Sequence, residues 1–162
     1  MTVQANVVVV NLGEVKVSKD PQTVLTCLGL GSCVGLCMYD PVSKVGGMAH
    51  IVLPVSFNGG TNNTKFADVA VPSLLQRMRE QGAVRARLVT KLVGGSQMLK
   101  QGTEHNFNTG QRNVEATNKV LSDEAIAIAA ADVGGNRGRS LKLFVESGKV
   151  LVKSIGASDV EL

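Results

Sequence analysis

Short β-branched runs dominate the first third of this chain, and they follow one another with only brief turns between them. The predicted strands are residues 6–10, 14–18, 23–28, 34–39 and 45–53. Gly13, Asp20-Pro21 and Asp40-Pro41 mark turns between them. Strands that succeed one another without an intervening helix argue against an alternating βαβ fold and favour an α+β domain.

Two segments have helical periodicity instead. The clearer one is 65–81, with Thr64 as a candidate N-cap and Gly82 as a stop. Its apolar residues recur at helical spacing: Phe66, Val69, Ala70, Leu74, Leu75 and Met78. Pro72 inside it either kinks the helix or indicates that the helix begins nearby. The second predicted helix is 110–121.

The remaining apolar runs complete the predicted fold. They predict strands at 87–93 and 126–131 and a closing hairpin of 141–145 with 150–155. We therefore expect mixed or antiparallel β-sheets packed as a sandwich, with two main helices on the outside. One domain spans 1–162, with its core at about 5–155 and a frayed tail at 156–162.

Composition and charge exclude several classes of function. The net charge of +4 is modest, and aromatic residues make up only 3% of the chain. The basic residues are scattered, apart from a cluster between Arg77 and Lys91, so the pattern is not that of a nucleic-acid binder. No apolar stretch approaches the ~20 residues of a membrane span. The N-terminal segment lacks a signal peptide's basic region, so we expect a cytoplasmic protein with reduced thiols.

Cys33 and His50 are the candidates for chemistry. Cys33 follows the glycine-containing turn 29–32, whose backbone N–H groups could stabilise an oxyanion, with Gly31 and Ser32 as the turn residues concerned. His50 comes 17 positions later, after a strand, a turn and a further strand. If those strands pair, the imidazole returns beside the thiol, as a Cys–His hydrolase requires. The alternative is a buried, apolar Cys33 and a histidine satisfied within the sheet.

The other cysteines and the second histidine offer less. Cys37 and Cys27 lie inside apolar strands, and Cys33 and Cys37 do not form a CxxC pair. Zinc would need further ligands nearby, so neither a metal site nor another cofactor is expected. His105 stands beside Glu104 in a polar loop and is interpreted as solvated.

Several motifs, in a fixed order from about residue 5 to 155, resemble the CheD family. They are Leu28-Gly29-Leu30-Gly31-Ser32-Cys33-Val34, Tyr39-Asp40-Pro41, Gly47-Met48-Ala49-His50-Ile51-Val52-Leu53-Pro54, Lys65-Phe66-Ala67-Asp68-Val69-Ala70, Gly94-Gly95-Ser96-Gln97-Met98, Gly110-Gln111-Arg112-Asn113-Val114-Glu115 and Asp132-Val133-Gly134-Gly135. This resemblance implies a protein-glutamine deamidase that acts on the cytoplasmic helical bundle of chemotaxis receptors. It also implies Cys33 as the nucleophile, His50 as the base and no cofactor.

The resemblance implies a threonine as the third catalytic residue, directly before the Leu-Gly of the cysteine motif. Cys27 holds that position here, and Thr26 lies one residue earlier. A shift of one residue in a strand turns a side chain to the other face. Three candidates therefore stay open for orienting His50: Thr26, the thiol of Cys27 and a backbone carbonyl.

The resemblance also implies a second partner, a CheC-type phosphatase of the response regulator. One alternative is therefore a non-catalytic regulator that binds and activates such a phosphatase. A second alternative is another glutamine-directed Cys–His hydrolase, and a third is a thiol redox protein.

Overall fold

The computed structural model describes residues 4–56, 62–97 and 108–162. Within these ranges the chain forms ten strands, two α-helices and a short 3₁₀ helix at Arg85–Arg87. The strands are β1 Asn6–Val9, β2 Val15–Ser18, β3 Thr23–Leu30, β4 Val34–Asp40, β5 Val45–Ile51, β6 Val89–Gly94, β7 Ala130–Val133, β8 Arg139–Phe144, β9 Val150–Ser154 and β10 Val160–Glu161. The helices are α1 Ala67–Glu80 and α2 Thr109–Asp123.

The strands form two five-stranded sheets. The first has the order β1-β3-β8-β9-β10 and the second the order β2-β5-β4-β6-β7. Most neighbours are antiparallel, but β1 with β3 and β6 with β7 are parallel. The predicted mixed sheets are therefore confirmed.

Two layers of apolar side chains hold the elements together. One layer lies between the sheets and includes Leu25 and Leu141 from the first sheet and Met48 from the second. The other lies on the opposite face of the second sheet, where residues such as Leu36 pack with Leu74 of α1. Both helices contact that face and each other, which confirms the sandwich with two helices on its outside.

Several boundaries differ from the sequence-based prediction for local reasons. β5 ends at Ile51 because the next two N–H groups donate to the carbonyl of Lys65. The helix predicted at 65–81 begins at Ala67 instead, and the hydroxyl of Thr64 donates to the Gly13 carbonyl rather than capping it. Pro72 lies inside α1, so the helix does not begin near it.

The strand predicted at 126–131 is shorter and displaced. Ile126 closes the end of α2, where its N–H donates to the Leu121 carbonyl, and its side chain joins the core beneath the helices. β7 therefore starts only at Ala130.

The tail predicted to be frayed contains a strand. Val160 of β10 pairs with Val152 of β9. The N–H of Leu162 donates to the Val150 carbonyl at 3.0 Å, and its side chain packs against the core between the sheets.

No helix in the described ranges combines the length and the apolar character that crossing a bilayer requires.

Candidate active site

The pairing of β4 with β5 brings Cys33 and His50 to the same face of the second sheet. Gly35 is opposite His50 in the antiparallel register. Cys33 lies two residues before Gly35 and packs against the core between the sheets. His50 lies two residues after Met48, which belongs to the same core, so alternation places the imidazole on that face too. The two residues are diagonal neighbours, for which Cα atoms are about 7–8 Å apart and long side chains can meet.

His50 is held by its backbone and by one ring nitrogen. Its N–H donates to the Glu14 carbonyl at 3.0 Å, and its own carbonyl accepts from the N–H of Gly13 at 2.9 Å. The ring atom Nδ1 lies 2.9 Å from the carbonyl oxygen of Val10. Because a carbonyl only accepts, Nδ1 carries the hydrogen, and in the neutral ring Nε2 then carries the lone pair.

The second ring nitrogen is available for chemistry. Nε2 of His50 is buried and has no hydrogen-bond partner among the described residues. A buried polar atom without a partner is uncommon in folded proteins and calls for an explanation. A lone pair on the sheet face that carries Cys33 is suited to accept the thiol proton.

Burial keeps both members of the pair neutral at rest. Loss of hydration lowers the pKa of His50, against smaller opposing effects of the Val10 hydrogen bond and the Glu14 charge. Loss of hydration also raises the pKa of the half-buried Cys33 thiol. The site therefore holds a thiol and a neutral imidazole rather than a preformed thiolate–imidazolium pair.

Three consecutive carbonyls, those of Gly31, Ser32 and Cys33, are hydrogen-bonded to neighbouring segments of the chain. The Gly31 carbonyl accepts from the N–H and the hydroxyl of Ser96, both at 2.8 Å. The Ser32 carbonyl accepts from Nδ2 of Asn113 at 2.9 Å, and the Cys33 carbonyl accepts from the N–H of Gly95 at 2.8 Å. In a planar trans peptide the N–H points opposite to the preceding carbonyl. The N–H groups of Ser32 and Cys33 therefore point away from Ser96 and Asn113.

Of the residues predicted around an oxyanion, Ser32 provides an amide with this orientation, whereas Gly31 provides the carbonyl that anchors the turn to Ser96. Gly29 adopts a φ of +61°, which suits glycine, where the register of β3 with β8 shifts between Cys27 and Leu30. The glycine content of this segment therefore shapes the turn that presents Cys33.

The structure does not bring Thr26 to His50, which corrects the expectation that this threonine orients the histidine. Leu25 and Cys27 point into the layer between the sheets, so Thr26 points to the other face of β3. Its hydroxyl donates instead to the Val24 carbonyl at 3.5 Å.

Cys27 does not hydrogen-bond to the imidazole ring nitrogens either. Its sulfur lies 3.3 Å from Sδ of Met48, and burial, followed by the neighbouring Cys37 and Cys33, raises its pKa well above the usual range. Of the three candidates for orienting His50, only the backbone carbonyl is observed, and Val10 provides it. Sequence reasoning could not locate Val10 because a carbonyl is common to every residue.

The remaining sequence candidates have no part in this geometry. Cys37 is buried in the core, as predicted, and burial raises its pKa to about 12. His105 lies outside the described residues. Members of the basic cluster are engaged within the chain: Arg77 with the Val15 carbonyl, Arg85 with Glu124, Arg87 with Asp40 and Lys91 with the Leu162 carbonyl.

Comparisons with known proteins agree with the motifs. The family model described as CheD chemotactic sensory transduction matches residues 52–154, just beyond His50. A probable chemoreceptor glutamine deamidase CheD from Symbiobacterium thermophilum is 44% identical over 157 residues, covering 94% of this chain and 95% of that protein. The chemoreceptor glutamine deamidase CheD of Thermotoga maritima is 44% identical over 151 residues, covering 93% and 94%. A probable chemoreceptor glutamine deamidase CheD from Archaeoglobus fulgidus is 42% identical over 146 residues, covering 90% and 92%. This chain belongs to the CheD family.

Proposed function

We propose that this protein deamidates glutamine side chains of chemoreceptors, with Cys33 as the nucleophile and His50 as the general base. The observation that carries the proposal is the unpartnered, buried Nε2 of His50 on the sheet face that also carries Cys33. The names of the relatives, which are chemoreceptor glutamine deamidases, support the substrate. The expected target is a glutamine on the cytoplasmic helical bundle of the receptor.

The first step is attack on the carboxamide. As the sulfur of Cys33 bonds to the carboxamide carbon, Nε2 of His50 takes the thiol proton. Because burial disfavours both a free thiolate and a free imidazolium, it favours proton transfer that accompanies C–S bond formation. The N–H of Nδ1 stays on the Val10 carbonyl, which keeps the ring oriented and stabilises the positive charge that the ring acquires.

Charge then develops on the carboxamide oxygen. The N–H groups of Ser32 and Cys33 are the donors we assign to it, because the anchored carbonyls of the turn fix their direction before the substrate arrives. One such preorganised donor contributes about 2.7–4 kcal/mol in other hydrolases.

The second step releases ammonia and regenerates the enzyme. The imidazolium returns its proton to the departing nitrogen, which leaves as ammonia and yields a thioester on Cys33. Water then attacks the thioester while Nε2 of His50 accepts its proton, and the thiolate recovers that proton as glutamate departs. The net reaction consumes one glutamine carboxamide and one water, and it requires no metal or organic cofactor.

The test is mass spectrometry of a chemoreceptor cytoplasmic fragment after incubation with the protein. We expect wild type to convert specific glutamines to glutamate, and Cys33→Ala and His50→Ala to leave them unchanged. Cys37→Ala is the matched control, because it removes a thiol from β4 on the same side of the sheet without touching the proposed pair. A fragment that stays unmodified with folded wild type would overturn the proposal and favour the regulator of a CheC-type phosphatase, a partner that stays a prediction.

A further inference from the structure

One side chain of α2 bonds both to the segment that precedes β4 and to the segment that follows β5. Nδ2 of Asn113 lies 2.9 Å from the carbonyl oxygen of Ser32 and 2.9 Å from that of Val52. Ser32 immediately precedes Cys33, and Val52 comes two residues after His50. The amide group therefore spans the two segments on which the thiol and the imidazole are mounted.

The position of this bridge coincides with the end of the sheet ladder. The pairing of β4 with β5 reaches Val34 opposite Ile51 and goes no further. Beyond that point the N–H of Val52 donates to the Lys65 carbonyl instead of to β4. Cys33 therefore lies where the ladder no longer fixes its distance from the β5 side, and Asn113 replaces the missing connection.

The residue type is matched to this task. Both partners are carbonyls, so the NH₂ group must face them, and each of its two hydrogens has one acceptor. An aspartate at this position has no hydrogen to donate unless it is protonated. Asn113 is fully buried, and its Oδ1 has no partner among the described residues, so the side chain is kept in the core with half of its polar group unpaired.

The helix that carries Asn113 packs closely on Gly95 and Ser96, the segment that is hydrogen-bonded to the nucleophile turn. A Cβ on Gly110 would lie 2.4 Å from the Ser96 carbonyl oxygen and 2.6 Å from that of Gly95, so only glycine permits the approach. Ser96 and Gly95 themselves bond to the carbonyls of Gly31 and Cys33. Asn113 thus projects from a helix that is closely packed on the segment anchoring the turn.

We propose that Asn113 is a positioning residue that sets the separation between the Cys33 turn and the end of β5, and so keeps the thiol aligned with Nε2 of His50. The inference rests on the proposed function of that pair. Asn113 makes no contact with the reacting atoms in this scheme. A displacement of about 1 Å in such an arrangement can cost on the order of 100-fold in rate.

The experiment compares Asn113→Asp and Asn113→Leu with wild type. Asn113→Asp keeps the shape of the side chain but removes its two N–H donors. Asn113→Leu also removes the donors, and its apolar side chain suits a buried helical position if the charged aspartate prevents folding. Thr117→Val is the matched control. Thr117 is a buried polar residue one turn further along α2, and its hydroxyl donates only to the Asn113 carbonyl within the helix.

Two rates are measured on protein shown to be folded by circular dichroism. One is deamidation of the receptor fragment, separated into kcat and KM. We expect kcat to fall on the order of 100-fold in the Asn113 variants, with KM within about threefold and Thr117→Val within about threefold of wild type. A kcat per folded molecule near wild type in either Asn113 variant, or an equal loss in Thr117→Val, overturns the inference.

The second rate is alkylation of Cys33 by iodoacetamide, which requires no receptor and so separates this inference from the proposed function. If Asn113 aligns the pair, the Asn113 variants should slow alkylation by the same factor as His50→Ala does. This result supports the inference even if wild type proves unable to deamidate a receptor. If His50→Ala slows alkylation and the Asn113 variants do not, the inference alone is wrong. If His50→Ala has no effect, the proposed pair is wrong and the inference fails with it.

Discussion

The carbonyl oxygen of Val10 accepts a hydrogen bond from Nδ1 of His50 across the two sheets at 2.9 Å. Val10 follows β1 in the first sheet, whereas His50 belongs to β5 in the second. The base is therefore oriented by the packing of one sheet on the other. A main-chain acceptor has no titratable proton and no side chain to lose, so the neutral ring of His50 keeps its hydrogen on Nδ1 and its lone pair on Nε2.

The first prediction concerns the acidic limb of the pH profile. The base must be neutral to accept a proton, and burial lowers the pKa of His50. We expect the midpoint of the acidic decline in kcat/KM to lie below the ordinary imidazole value of about 6.5. The measurement is kcat/KM for the receptor fragment across the acidic and neutral range, with circular dichroism at each pH to confirm folding. A midpoint above the ordinary value would contradict a base whose pKa is dominated by burial.

The same shift has a consequence for stability. Because the folded-state pKa of His50 lies below the unfolded one, the unfolded chain binds the proton first as pH falls. Urea unfolding of wild type is therefore expected to show a loss of stability beginning below about pH 6.5, and His50→Gln should show less of it. Equal pH dependence in the two proteins would contradict the shift.

The reactivity of Cys33 provides an independent prediction. Burial raises the pKa of this thiol, so without its base it should be unreactive at neutral pH. In His50→Ala, the rate of Cys33 alkylation is expected to rise with pH around a midpoint above the usual thiol value of about 8.5. The measurement is the alkylation rate against pH by mass spectrometry of the Cys33 peptide. A midpoint below that value would mean that another group stabilises the thiolate.

Thr26 is predicted to be dispensable for catalysis. Its side chain lies on the face of β3 away from His50, and its hydroxyl reaches only the Val24 carbonyl. Thr26→Val keeps the shape and the β-propensity of the residue. We expect kcat within about twofold of wild type, measured on the receptor fragment. A loss comparable to that of His50→Ala in a folded Thr26→Val protein would return this residue to the catalytic group.

What the sequence could predict follows from the range of the interactions involved. The strands around Cys33 and His50 were predictable because alternation and turn residues are local signals, and their adjacency placed the thiol and the imidazole together. The orienting group of His50 was not predictable, because Val10 meets the ring only when the two sheets pack. Asn113 belongs to one of the CheD-like motifs, but its role was not predictable from the sequence. The two carbonyls that it bonds to are far from it along the chain. The start of α1 was misplaced because tertiary bonds of Thr64 and Lys65 precede it.

Asp40 is predicted to be a determinant of stability rather than of catalysis. It is fully buried and accepts from Arg87 at 2.8 Å and from the N–H groups of Val84 and Val42 at 2.8 and 2.9 Å. The Arg87 hydrogen bonds, opposed by burial, hold the pKa of Asp40 well below its usual range. Asp40→Ala should reduce the free energy of unfolding by about 3 kcal/mol. This is the lower end of the range of about 3–5 kcal/mol for breaking a buried ion pair, because Arg87 is partly exposed.

The control for Asp40 is a surface carboxylate. Asp123 pairs with Lys119 on the exposed face of α2, so Asp123→Ala should change the free energy of unfolding by no more than about 0.5 kcal/mol. The Asp40 contribution should be present at neutral pH and be lost progressively as pH falls below the unfolded value of about 3.9. Urea unfolding of both variants measures this, and equal losses in the two would show that the Asp40 network is not stabilising.

Gly110→Ala distinguishes helix propensity from packing, because the two predict stability changes of opposite sign. Propensity alone would stabilise α2 by up to about 1 kcal/mol. The added Cβ, however, would lie 2.4 Å from the Ser96 carbonyl oxygen and 2.6 Å from that of Gly95, and main-chain atoms cannot rotate away. Overpacking of this kind costs about 1–3 kcal/mol, so the variant should be less stable by urea unfolding. Because Ser96 and Gly95 anchor the turn before Cys33, kcat on the receptor fragment should fall as well.

Asn118→Ala, on the exposed side of the same helix, is the control and should not be destabilised. A Gly110→Ala protein that is more stable than wild type and equally active would show that α2 can withdraw from the turn without consequence for the thiol.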